Sequence, residues 1–187
     1  MAKKILIDTD GVLRDFVGGC EEKYQTKFDF TQSKGIQKIL GKSHEEFVSD
    51  LDTIQFWRNL KPTKEAKSVI SMARKYFKED HIYIVSSSYQ TPRILAGCAA
   101  WYERYLPSFY RSRHIIFVNN KSLLANLDTI LLDDHSETCK AFNNRQGWTV
   151  LFPRPWNNAY QTMYPLDRIE DELTMILNVE EVDNGQA

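Results

Sequence analysis

Five short apolar runs constrain this chain most: residues 4–8 (KILID), 81–86 (HIYIVS), 114–118 (HIIFV), 129–133 (TILLD) and 148–152 (WTVLF). They read as strands, and Ile5, Leu6 and Ile7 as part of one buried on both faces. Helical patterns separate most of them. Strands that alternate with helices require parallel βαβ units. The expected fold is therefore α/β, a doubly wound, Rossmann-like parallel sheet of about five strands.

Local signals place the helices. Residues 63–79 follow Pro62, with Thr63 as N-cap, and carry Ala66, Val69, Ile70, Ala73 and Phe77 at helical spacing. Residues 91–106 open with Thr-Pro, an N-cap before a proline at the first helical position. Residues 136–146 stop before Gly147, read as a C-cap, and a last amphipathic helix covers 166–177. Between the first strand and Pro62 lie more than forty residues with helical pattern and no convincing strand. Within them, Ser43-His44-Glu45-Glu46 forms a capping box that opens a helix to about Leu51. This interval is read as a small helical cap inserted after the first strand, above the carboxyl edge of the sheet, where ligands bind in open α/β folds. The expected division is a core of residues 1–16 and 61–178, a cap of 17–60, and a flexible tail of 179–187, whose acidic, polar sequence predicts fraying.

The chemistry gathers at the strand ends. The first strand runs into Asp8 and Asp10, then Gly11, although like charges taken out of water are costly unless matched. The second ends in Ser86, Ser87 and Ser88, Lys121 follows the third, and the fourth gives Asp133 and Asp134. In a parallel sheet these ends share one edge. Carboxylates with one ammonium and a hydroxyl point to a hard cation, Mg²⁺, beside a phosphate. Singly, each piece has a plainer reading. DTDG is an acidic turn, Lys121 a solvated lysine, and Asp133-Asp134 a helix cap.

Composition narrows the classes. With 24 basic and 25 acidic residues in 187, the formal net charge is −1, which argues against a dedicated nucleic-acid binder. Three separated cysteines fit a reducing compartment. The first strand follows the N-terminus directly, leaving no room for a signal peptide, and no apolar stretch nears the ~20 residues that span a membrane. These features predict a cytoplasmic protein with no membrane partner and no stable nucleic-acid complex. They leave a dimer open.

Together, ILIDTDGVL, IYIVS, Lys121 and ILLDD resemble the four successive motifs of the haloacid dehalogenase-like phosphatases. DTDGVLRDF, FWRNLKP at 56–62 and LLDD further resemble the 5′(3′)-deoxyribonucleotidases, although His135 stands where that branch often has arginine. The resemblance implies Asp8 as the nucleophile that forms an aspartyl-phosphate, and Asp10 as the acid and then base. It implies Mg²⁺ held by Asp8, the Asp10 main-chain carbonyl and Asp133, with Asp134 supporting its waters. Ser86, Ser87 and Lys121 would bind the phosphoryl group. Phe16, Phe56 and Trp57 would sandwich a nucleobase, with core packing as the plainer reading of each ring. His135 is placed near the substrate, and Arg14 and Arg93 are candidates to steer an anion. Trp156, in LFPRPWNN at 151–158, is expected beside the active-site edge or over the core.

The function so implied is Mg²⁺-dependent hydrolysis of a small-molecule partner, a nucleoside monophosphate, with deoxyribonucleotides favoured. The alternatives are a phosphatase of another small phosphoester or of polynucleotide ends, and a non-catalytic binding protein of the same fold.

Overall fold

The N-terminal strand lies at the centre of the sheet. In the computed structural model, which describes residues 3–31, 35–87 and 91–183, β1 (Lys4–Asp8) pairs on one side with β2 (Ile82–Ser86) and on the other with β4 (Thr129–Asp133). The edges are β3 (Ile115–Phe117) and β5 (Trp148–Leu151). The order is β3-β2-β1-β4-β5 and every pair is parallel. This is the doubly wound sheet the alternating sequence predicts. Ile5, Leu6 and Ile7 are buried, as a central parallel strand covered on both faces requires.

Among the described residues, four helices lie between β1 and the next core helix: α1 (Phe16–Tyr24), α2 (Ile36–Ile39), α3 (His44–Leu51) and α4 (Ile54–Asn59). The capping box of α3 is complete, since Ser43 Oγ accepts from the Glu46 amide and Glu46 accepts from the Ser43 amide. After α5 (Ala66–Tyr76) come α6 (Pro92–Tyr105), α7 (Pro107–Arg111), α8 (Ser136–Asn143) and α9 (Pro165–Asp183). Thr91 caps α6 through the Ile94 amide, with Pro92 at the first helical position as the sequence indicates.

α4 packs closely on α6. A Cβ at Gly97 would sit 2.8 Å from the Ile54 carbonyl oxygen and 2.8 Å from Trp57 Cβ, so only glycine allows the contact. The two buried indoles beside it are satisfied by helix-end carbonyls. Trp57 Nε1 donates to Leu51 O and Trp101 Nε1 to Leu60 O, both at 2.8 Å.

Three local expectations need correction. Thr63 does not cap α5, because its hydroxyl donates instead to Val12 O at 2.6 Å and Glu65 takes the N-cap position. Gly147 is not the left-handed cap of α8. That conformation belongs to Gln146, at φ 62°, while a Cβ on Gly147 would strike the Phe142 ring at 2.1 Å. The last helix does not end near Leu177. It continues to Asp183, through part of the segment expected to fray, and residues 184–187 lie outside the described residues. Among the described residues, no helix is long and apolar enough to cross a membrane.

Candidate active site

Parallel register brings the strand-end groups together across 126 residues of sequence, from Asp8 to Asp134. Asp8 ends β1, Asp133 ends β4 beside it, and both carboxylates are buried. Lys121 opens a 3₁₀ turn, Lys121–Leu124, after β3. Its ammonium lies 2.5 Å from Asp8 Oδ1 and 2.7 Å from Asp133 Oδ2, so one cation bridges two strand ends. Two further oxygens are also engaged: the His135 amide donates to Asp133 Oδ1 at 2.8 Å, and Trp156 Nε1 to Asp134 Oδ2 at 2.7 Å.

Gly11 makes this closure possible. It sits at φ 87°, a conformation glycine adopts freely, and a Cβ there would lie 2.0 Å from Asp134 Oδ2. Arg154 secures the same turn by donating from Nε to Gly11 O at 2.5 Å, while its Nη2 pairs with Glu65 at 3.0 Å. The residues after β5 are therefore part of the site's frame. Asn157 Nδ2 fixes them further by donating to Asp134 O and Phe152 O.

The charges in the cluster do not cancel. Oxygens of Asp8, Asp133 and Asp134 lie within 4.8 Å of one another, three carboxylates served by one ammonium. Burial pushes the Asp134 carboxyl up to about 7, and the charge of Asp133 adds to the rise. Burial likewise raises Asp8 well above the usual range, against the attraction of Lys121. Burial alone would lower the Lys121 pKa, but Asp8 and Asp133 outweigh it and raise it, so the lysine stays charged. A set of close, hard oxygen donors with uncompensated negative charge fits a hard divalent cation.

Asp10 is handled separately. Its carboxylate is gripped by Arg14, with Nε to Oδ1 at 2.7 Å and Nη2 to Oδ2 at 2.8 Å. Asp10 keeps 24% of its side chain exposed and borders the cavity. Arg14 is fully buried, so it is not a surface guide for anions. Its guanidinium lies 5.0 Å from the Trp57 ring centroid, 5.3 Å from that of Trp101 and 5.9 Å from that of Tyr102. Arg93, the other steering candidate, is 70% exposed and 3.4 Å from Asp52, away from the cavity.

The cluster opens onto a cavity of about 460 Å³ whose remaining walls include Phe16, Val17, Phe30, Ile36, Phe47 and Trp156. Ser87 borders it, whereas Ser86 is fully buried and does not. Ser88 lies outside the described residues. His135 is exposed at the rim, with Nδ1 3.4 Å from the Thr138 hydroxyl.

The expected aromatic sandwich is not present. Phe16 and Trp57 stack on each other, with centroids 5.4 Å apart and planes at 21°, so no base fits between them. Trp57 borders the cavity but is 1% exposed and backs Phe16, and Phe56 faces a different cleft. Phe30 and Trp156, 5.2 Å apart, furnish another part of the cavity wall. Sequence reasoning did not assign Phe30, Phe47 or Thr138 to the site. The only local signal was the capping box just before Phe47.

The likeness to known proteins agrees with this geometry. The family model for the 5′ nucleotidase, deoxy (pyrimidine), cytosolic type C proteins matches residues 2–182. A 5′(3′)-deoxyribonucleotidase of Bacillus subtilis (strain 168) is 24% identical over 188 residues, covering 98% of each chain, and one of Bacillus phage SPbeta matches equally. Among solved structures, a HAD family hydrolase from Deinococcus radiodurans R1 with bound phosphate and sodium superposes with TM-score 0.53 at 14% identity, over 94% of this chain and 95% of that one. A HAD hydrolase, family IA, variant 3, from Entamoeba histolytica HM-1:IMSS gives TM-score 0.52 at 14% identity, over 92% and 99%. These structures share the fold. The chain belongs to the 5′ nucleotidase, deoxy (pyrimidine), cytosolic type C family and is a phosphoric monoester hydrolase of haloacid dehalogenase-like architecture.

Proposed function

We propose that this protein hydrolyses deoxynucleoside monophosphates with Mg²⁺, through an aspartyl-phosphate on Asp8. The observation that carries the reading is the meeting of Asp8, Lys121, Asp133 and Asp134 at the end of a largely apolar cavity. Family membership and the names of the relatives support the nucleotide substrate, and the family's cytosolic designation supports a cytoplasmic location.

In this reading Asp8, Asp133 and the Asp10 main-chain carbonyl hold the ion, and Asp134 supports its waters. Bound Mg²⁺ offsets the repulsion between a phosphate dianion and the carboxylates. Asp8 attacks phosphorus, and the P–O bond to the nucleoside breaks. Lys121 stabilises charge on the phosphoryl oxygens, and Ser87, on the cavity wall, is the better placed of the two serines to bind them. Asp10 protonates the leaving oxygen and later takes a proton from the hydrolytic water. Phe16, Phe30, Phe47 and Trp156 give the base and sugar an apolar seat. Residues 17–60 act as the cap over a core of 1–16 and 61–178.

The test is phosphate release from a panel: deoxy- and ribonucleoside monophosphates, sugar phosphates and a 5′-phosphorylated oligonucleotide. Deoxynucleoside monophosphates should give the highest kcat/KM, chelation should abolish turnover, and Asp8→Asn should leave none detectable. A preference for the oligonucleotide or for a sugar phosphate overturns the substrate assignment. Full activity in chelator overturns the metal.

A further inference from the structure

The cavity wall carries one polar side chain that the reaction steps leave unused. Residues 17–60 supply an otherwise apolar stretch of that wall, apart from the Trp57 indole, whose nitrogen is committed to Leu51 O. The exception is Gln37, in α2. Ile36 and Ile39 of this helix pack against the core, Lys38 is exposed, and Gln37 is half-buried between these extremes. Its main chain is anchored, because Gln37 O accepts from the Lys42 amide at 2.9 Å. Its side-chain amide has no hydrogen-bond partner among the described residues.

The remaining polar groups lie elsewhere. Besides the carboxylates, Lys121 and Trp156, the polar side chains on the wall are Ser87, His135, Thr138 and Gln37. The first three also border a smaller cleft of about 230 Å³ that includes Lys121, so they belong to the phosphoryl end. Gln37 does not border that cleft. An amide set in an apolar wall favours a ligand that answers both its donor and its acceptor, because leaving either unmatched is costly.

We infer that Gln37 reads the hydrogen-bonding edge of the nucleobase and is a specificity-determining residue of this cavity. The inference rests on the nucleotide reading, in which the phosphate meets Lys121 and the base lies along the wall formed by residues 17–60. A side-chain amide offers a donor and an acceptor side by side. Uracil and thymine present N3–H beside O4, and cytosine presents N3 beside its N4 amino group. Half a turn of the amide exchanges its donor and acceptor, so one residue answers both patterns with no change in the backbone. Gln37 therefore selects a base with an intact edge over a phosphoester without one, rather than one pyrimidine over another.

Three substrates test this with full-length protein and Mg²⁺: dUMP, its analogue methylated at uracil N3, and 2-deoxyribose 5-phosphate. The unmodified protein should prefer dUMP to the methylated analogue about tenfold in kcat/KM. Gln37→Leu keeps similar bulk and removes both polar groups. In this variant the preference should shrink to within twofold, and the advantage of dUMP over 2-deoxyribose 5-phosphate should fall about fivefold. A variant that keeps the unmodified preference for dUMP over the analogue overturns the inference, even if all three rates fall together as a packing defect would make them. Equal use of dUMP and the analogue by the unmodified protein also overturns it, and leaves the nucleotide reading intact. Failure of that reading is separately visible without any variant, because the unmodified protein would then use 2-deoxyribose 5-phosphate as well as dUMP, and the inference would fall with it.

Discussion

Two buried charge systems lie side by side at the end of β1, and they are balanced in opposite ways. Around Lys121, three carboxylates share one ammonium, a compact charge that contacts two of them. Around Arg14, one carboxylate meets one guanidinium in a matched fork, walled by aromatic rings. In the first, carboxylates outnumber the ammonium, and burial, with the neighbouring carboxylates adding to it, pushes Asp8 and Asp134 up. The second completes itself. Buried charge persists only when matched, so the contrast separates a cluster whose carboxylates outnumber their cation from a pair matched one to one.

The largest expected effect strikes the unbalanced system. Lys121→Met removes the only side-chain ammonium that contacts Asp8 and Asp133 among the described ion pairs. Loss of one charge-stabilising group of this kind costs about 10²–10³ in kcat, measurable by phosphate release from a deoxynucleoside monophosphate. A loss below tenfold would mean Lys121 is only a structural counter-ion. Next, if the proposed metal site holds, folding should be sensitive to Mg²⁺. At 100 times its dissociation constant, a ligand bound only by the folded state adds about 2.7 kcal/mol. Thermal melts should therefore rise with Mg²⁺ in the native protein. They should rise much less in Asp133→Asn, and an equal rise in both would remove Asp133 from the ion's ligands.

The finished system should respond through stability. Trp57→Ala takes away the ring that lies against both Arg14 and Phe16. Emptying a buried tryptophan site costs about 3–5 kcal/mol, read as a lower urea midpoint that Mg²⁺ does not selectively restore. The smallest effect belongs to Arg93. An exposed arginine in a long pair with Asp52 contributes within about 0.5 kcal/mol. Arg93→Ala should leave kcat/KM within twofold, and a larger fall would revive a steering role.

The contrast also marks how far the sequence could be read. The strands were legible because each is an apolar run bounded by polar residues, and parallel topology then places Asp8, Lys121, Asp133 and Asp134 on one edge whatever their separation. The fork was not. Asp10 and Arg14 have the spacing of a surface helical pair, yet they lie in a tight loop, and the rings that bury Arg14 come from residues 57, 101 and 102. The aromatic wall failed for the same reason. FWRNLKP displays two adjacent rings, but only packing decides that Trp57 turns inward while Phe30 and Trp156, remote in sequence, line the cavity. Thr63 was misread as a cap because its neighbours suit a helix start, whereas Val12 O claims its hydroxyl from across the fold.

The hydrogen bond from Trp156 to Asp134 has a practical side. An indole joined directly to one carboxylate of the cluster feels any change in that carboxylate's charge, and its ultraviolet emission changes accordingly. Trp57 and Trp101 are buried and donate to main-chain carbonyls, and Trp148 donates to Leu127 O, so none of these three indoles donates to the cluster. At the proposed cation site this indole would serve as an optical gauge of cation arrival, readable by titration without a dye or a substrate.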